Sequence, residues 1–153
     1  MSKTDYSKAY KNVDFRKHPE KYRVGIGEQG VLIAEPYKSE IGPHWRFKNE
    51  AIAETSSKKI YELFEDYKRQ EDFVGMDMAR KYLQMGFTRA RRYANHPSGR
   101  KYDDDNTVKA QAEDALTNEK ARVAKIFYDI YIQAKNDPEY LRLTLLHKEQ
   151  VSS

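Results

Sequence analysis

The chain has 153 residues and a mass of 18.0 kDa, a size that suits one domain burying roughly 68–70% of the surface its unfolded chain exposes. It holds no cysteine, which excludes disulfides, thiol nucleophiles and thiolate metal sites. Its 28 basic and 24 acidic residues leave a net charge of only +4. No apolar leader follows Met1 and no run of about 18 apolar residues occurs, so neither secretion nor membrane spanning is expected and a cytoplasmic location is. A mean hydropathy of −0.97 with 34% charged residues would suit disorder. Twelve Tyr, six Phe and one Trp argue instead for a folded, mainly helical protein with a very polar surface.

Residues 1–15, MSKTDYSKAYKNVDF, show no sustained period and form a polar arm that Tyr6, Tyr10 and Phe15 could pin to the body. A single globular domain is expected over 16–150. From Tyr22 to Phe47 the runs YRVGIG, VLIAEPY and HWRF are rich in strand formers and punctuated by Gly and Pro. They predict a small antiparallel hairpin or sheet, with Gly27-Glu28-Gln29-Gly30 as its turn and Pro36 and Pro43 at edges or loops.

Helical spacing takes over after Phe47. Asn49 is a candidate N-cap for a helix over 49–69 with Ile52, Ser56, Ile60, Leu63, Phe64 and Tyr67 on one face. Asp72 can cap a second helix with Met76, Ala79, Leu83, Phe87, Ala90 and Ala94 inward, stopped by Asn95, Pro97 and Gly99. So short a connection predicts an antiparallel helical hairpin. A third helix is expected over about 107–135, with Ala112, Leu116, Val123, Phe127, Ile130 and Ala134 on one side. Asp137-Pro138-Glu139 then offers an N-cap, a Pro at N1 and a first-turn carboxylate to a short last helix through Leu141, Leu145 and Leu146. The fold class that follows is α+β, mainly α, with the N-terminal sheet packed on the helices.

Several strings suggest chemistry. Gly25-x-Gly27-x-x-Gly30 is a literal GxGxxG, but the residues before it are too polar for a buried strand and those after it are strand-like. A dinucleotide-binding reading therefore fails, no kinase catalytic loop accompanies it, and a turn is preferred to a phosphate cradle. Glu35-Pro36-Tyr37-Lys38 only approximates the acid-x-Lys pair of metal-dependent nucleases, being one residue too long and broken by Pro36. His18, His44, His96 and His147 are dispersed and form no ligand pair at helical spacing. No serine elbow is present. Neither a catalytic set, a metal nor a cofactor is assigned, and the protein is read as leaning away from enzymes.

The strongest signal is charge distribution. Residues 80–102, RKYLQMGFTRARRYANHPSGRKY, carry seven Lys or Arg and no acid, just before Asp103-Asp104-Asp105. Arg80, Lys81, Arg89, Arg91, Arg92, Arg100 and Lys101 are the candidate anion-binding residues, with arginine suited to bidentate phosphate contacts. Two bland explanations compete: cations favour a helix C-terminus, and Glu62, Glu65, Asp66, Glu71 and Asp72 could neutralise the run across the hairpin. His44 and Arg46 join the candidates because Pro43-His44-Trp45-Arg46-Phe47 interleaves basic and aromatic residues, as a single-strand stacking platform would. Trp45 as a plug between sheet and helices is the plainer reading.

The strings VDFRKHPEKYRVGIGEQGVLIAEPYKSEIGPHWRFK and DFVGMDMARKYLQMGFTRARRYANHPSGRKY also resemble a small family known only as a domain of unknown function, found in bacteria, some fungi and tailed phages. The resemblance spans Asp14 to Tyr102 and, more loosely, Ile126 to Lys135. It implies a stand-alone soluble domain of bacterial or phage origin and carries over no activity, cofactor or catalytic residue. The expected function is thus a non-enzymatic binding protein whose Arg-rich face contacts nucleic acid or another polyanion. The alternatives are a small enzyme or ligand-binding protein for a phosphorylated or carboxylated molecule, and a protein-interaction adaptor of phage or host.

Overall fold

The structure is a computed structural model that describes residue 10, residues 12–96 and residues 118–152. Six α-helices make up most of it. They are α1 (Glu28–Val31), α2 (Tyr37–Ile41), α3 (Glu50–Arg69), α4 (Phe73–Asn95), α5 (Glu119–Lys135) and α6 (Pro138–Ser152), with 3-10 turns at Pro19–Lys21 and Gly42–His44.

The expected hairpin or sheet is absent: the described residues hold no strand, only an isolated parallel bridge between Asp14 and Glu35. The Phe15 N–H donates to the Glu35 carbonyl at 3.0 Å, and pairing goes no further. The reason lies in which residues of this segment are buried. Val31, Ala34, Tyr37 and Ile41 all point into the core, at steps of three and four rather than two, so only helical turns can bury them together. Gly27, expected in a hairpin turn, is the N-cap of α1. Pro36 precedes the first turn of α2 and Pro43 lies in the first turn of a 3-10 helix, where a missing N–H is tolerated.

The long helices start where their caps predict. Asn49 Oδ1 accepts from the Ile52 N–H at 2.9 Å, Asp72 Oδ1 from Gly75 at 3.1 Å and Asp137 Oδ1 from Tyr140 at 3.0 Å, each satisfying a first-turn donor. Between α3 and α4 the chain turns on Glu71, whose φ is 55°. The Asp72 N–H reaches the Tyr67 carbonyl and the Glu71 N–H that of Lys68, a Schellman closure built on a residue other than glycine. The third helix differs from expectation. Asn118 is extended and caps α5 through the Ala121 N–H at 2.8 Å, so no single helix runs over 107–135, and the Ala112 and Leu116 positions lie outside the described residues.

Helix α4 is the central element. Every residue from Phe73 to Ala79 is buried, as in a helix enclosed on all sides. Two glycines let its neighbours approach: a Cβ on Gly75 would stand 2.5 Å from the Tyr67 ring of α3, and one on Gly86 2.5 Å from the Phe127 ring of α5. Met76, Ala79, Leu83, Ala90 and Ala94 point inward as their spacing predicts, and Phe87 is half-buried. Helix α6 docks through Tyr140 and His147, leaving Leu141, Leu145 and Leu146 exposed. Tyr10 and Phe15 pack edge to face, centroids 4.6 Å apart; Tyr6 lies outside the described residues.

Candidate functional site

Among the described residues, the cations of the basic run are not presented together. Arg80 lies one turn beyond Asp77, which is fully buried, and its Nε and Nη2 donate to Asp77 Oδ1 at 3.1 and 2.9 Å. Tyr140 Oη donates to the same oxygen at 2.6 Å and Tyr22 Oη to the other, so four donors from three parts of the chain converge on one carboxylate. Burial opposes the charge on Arg80, but Asp77 and the Tyr140 hydroxyl outweigh it and raise the guanidinium pKa. Burial and the Asp77 charge raise the Tyr22 phenol well above its ordinary value, and the same two causes raise Tyr140. This is a closed structural network.

Lys81 is half-buried and donates to the Ile26 carbonyl at 2.9 Å; burial, then Arg80, lowers its pKa. Arg89 forms an ion pair with Glu28 of α1 and lays its guanidinium over the Trp45 ring at 4.8 Å. Arg91 folds back on Asn95 at 3.0 Å. Arg92 is exposed. Arg100 and Lys101 lie outside the described residues. Asp77 and Glu28 are acids that meet the run, whereas Glu62, Glu65 and Asp66 pair with Lys59, Lys68 and Arg69 of their own helix. Asp72 instead accepts from Tyr37 Oη at 2.7 Å and joins Arg16, which also forks onto Glu40 at 2.7 and 2.8 Å. That fork, with Tyr67 donating to Glu40, holds the Glu40 carboxyl below its ordinary range despite partial burial.

The other two candidates, His44 and Arg46, fare differently. They sit on the segment Pro43–Lys48 that runs from the 3-10 turn to α3, and both are exposed. The segment is held from beneath. The Arg46 N–H donates to the buried Ser56 Oγ at 3.0 Å, which explains a serine on the apolar stripe of α3. Lys120 of α5 donates to the carbonyls of Phe47 and Lys48 at 3.1 and 2.8 Å. Trp45 packs on Tyr82 and Phe47, centroids 5.4 and 5.2 Å apart, so it is the plug the sequence suggested, between helices rather than beneath a sheet.

Two clefts open on this segment. One of about 450 Å3 is lined by Trp45, Arg46, Phe47, Lys48, Tyr93 and Lys120. The other, of about 550 Å3, is lined by Pro43, His44, Arg46, Ile52, Thr55 and Lys59. Arg46 lines both, so the basic residues from Lys59 to Lys120 follow one surface. Tyr93, 40% exposed, supplies a third ring. Lys48, Tyr93 and Lys120 were not singled out from sequence; the alternation WRFK extends naturally to Lys48, but nothing local brings Tyr93 and Lys120 to it.

The remaining motifs resolve locally. Gly25 has a φ of 91° and Gly30 is buried within α1, so the GxGxxG string forms a turn and a helix start. Glu35 accepts from Ser39 N–H at 2.8 Å and Oγ at 2.6 Å, bracing α2. Among the described residues no three His, Asp or Glu side chains group as metal ligands, and no helix is long and apolar enough to cross a membrane.

Residues 5–150 match the model of the family described as Domain of unknown function (DUF4385). The chain belongs to this family. The match takes in α1 to α5 of this DUF4385 chain and nearly all of α6. No curated protein matches this DUF4385 chain, and no solved structure does.

Proposed function

We propose that this protein is a non-enzymatic polyanion-binding module whose contact surface is the Pro43–Lys48 segment with the adjoining ends of α4 and α5, and that its ligand is single-stranded nucleic acid. One observation carries the reading: a cleft in which Trp45, Phe47 and Tyr93 stand among Arg46, Lys48 and Lys120. The exposed Tyr93 ring offers a stacking face to a base, with Trp45 and Phe47 as the packed wall behind it, and Arg46 and Lys48 offer contacts to phosphates, the combination that sequence-tolerant single-strand binding uses. Arg46 and Lys48 are exposed, in contrast to Arg80 and Arg89, whose carboxylate partners neutralise them. We also propose a cytoplasmic location and, on the family resemblance alone, a bacterial or phage origin.

The test is a salt titration of binding to a fluorescently labelled single-stranded oligonucleotide. Affinity should fall steeply with salt, and Arg46→Gln/Lys48→Gln should weaken binding at least tenfold while lowering the log–log salt slope by about 1.4, the value for two released single-strand phosphate contacts. Absence of binding at low ionic strength, or an unchanged slope in the double variant, would refute the proposal.

A further inference from the structure

On the other side of Trp45 a third hollow, of about 450 Å3, opens between α2 and α4, lined by Leu32, Lys38, Gly42, Pro43, Trp45 and Tyr82. Its walls are mostly carbon, and Gly42 contributes no side chain to fill it. Two of its lining residues bury a polar atom with no hydrogen-bond partner: Tyr82, only 1% exposed, at its hydroxyl, which lies 3.8 Å from where a Cβ on Gly42 would stand, and Trp45 at Nε1. Native structures keep few buried donors in this state. Two further polar side chains line it, both on exposed residues: Lys38, and Ser39, whose hydroxyl donates to Glu35. The nearest carboxylate, Glu35, accepts from the Ser39 N–H and hydroxyl, not from Tyr82 or Trp45.

A hollow with carbon walls and three unmatched donors, a phenol, an indole N–H and an ammonium, selects for an acceptor-rich head on an apolar body. We infer that this hollow is a binding site for a small monocarboxylate with a short hydrocarbon body, whose carboxylate accepts from Tyr82 and Trp45 while Lys38 neutralises it. Burial and, secondarily, the Glu35 charge push the Tyr82 phenol up to about 12, so it remains a donor at neutral pH. The two buried donors are closed to water in this conformation, and a ligand reaches them by a shift of lining side chains, a common adjustment on binding.

Trp45 is the chain's single tryptophan, so its fluorescence reports on this site. Titration with hexanoate should give a saturable change, with hexanamide binding at least tenfold more weakly. Tyr82→Phe should weaken hexanoate at least tenfold while leaving the unliganded melting temperature equal or higher, because the orphaned hydroxyl is gone; a merely structural tyrosine would move the two readouts the other way. Lys38→Met should also weaken hexanoate tenfold, and Arg46→Gln/Lys48→Gln should leave it unchanged, separating this site from the nucleic-acid surface. A flat titration up to about 10 mM, equal binding of acid and amide, or wild-type affinity in both Tyr82→Phe and Lys38→Met would overturn the inference.

Discussion

Arg80 and Arg46 both lie beside aromatic rings, and they do opposite things. Arg80, with its side chain 11% exposed, is locked to a fully buried carboxylate and lies over the Tyr140 ring at 5.7 Å. Arg46 stands in solvent between two clefts, with only its backbone N–H committed. The difference teaches that clustering of cations in the sequence says little about their availability, which depends on where the chain places carboxylates. In α4 the acid is one turn away and inside, whereas the 43–48 segment has no acid of its own.

The comparison can be broken most directly at Asp77. Asp77→Ala leaves Arg80 and two phenols around an absent carboxylate and should cost about 3–5 kcal/mol in denaturant unfolding; a loss under about 1 kcal/mol would mean that the network is incidental. Gly86→Ala comes next. Its methyl group would meet the buried Phe127 ring at 2.5 Å, and an overpacking loss of about 1–3 kcal/mol is expected, measured the same way.

The tyrosines sharpen the contrast through pH. Tyr22, Tyr37, Tyr67, Tyr82 and Tyr140 all hold their protons above the ordinary value of 10, burial being the first cause in each. Above about pH 10 the unfolded chain loses phenolic protons that the folded chain keeps, so stability should fall as pH rises through that range. Melting curves between pH 8 and 11.5 would show this, and a flat profile would contradict the burial of the ring network.

Glu71→Gly should raise stability by up to about 1 kcal/mol by relieving a side chain at positive φ, seen as a higher melting temperature. Smallest of all, Arg46→Gln should shift stability by no more than about 0.5 kcal/mol while weakening oligonucleotide binding, the reverse of the behaviour at Asp77.

Much of the helical body was readable because its determinants are local. Asn49, Asp72 and Asp137 satisfy N–H groups two or three residues on, and the three- and four-residue spacing in α3 and α4 marks the buried faces. Residues 22–47 misled because propensity favoured strands while burial asked for steps of three and four. Local preference yields there, since enclosing Tyr22, Tyr37 and Ile41 removes more apolar surface from water than a short, unsupported hairpin could.

From residue order alone came the caps, the helical stripes and the existence of a basic segment, all consequences of interactions between near neighbours. Which cations face water came from long-range contacts: Asp77 gathering Tyr22 and Tyr140, Glu28 reaching Arg89, and Lys120 drawing Phe47 and Lys48 toward α5. Such partners are up to 73 residues apart, and no periodicity or propensity encodes a contact whose two halves meet only when the core closes.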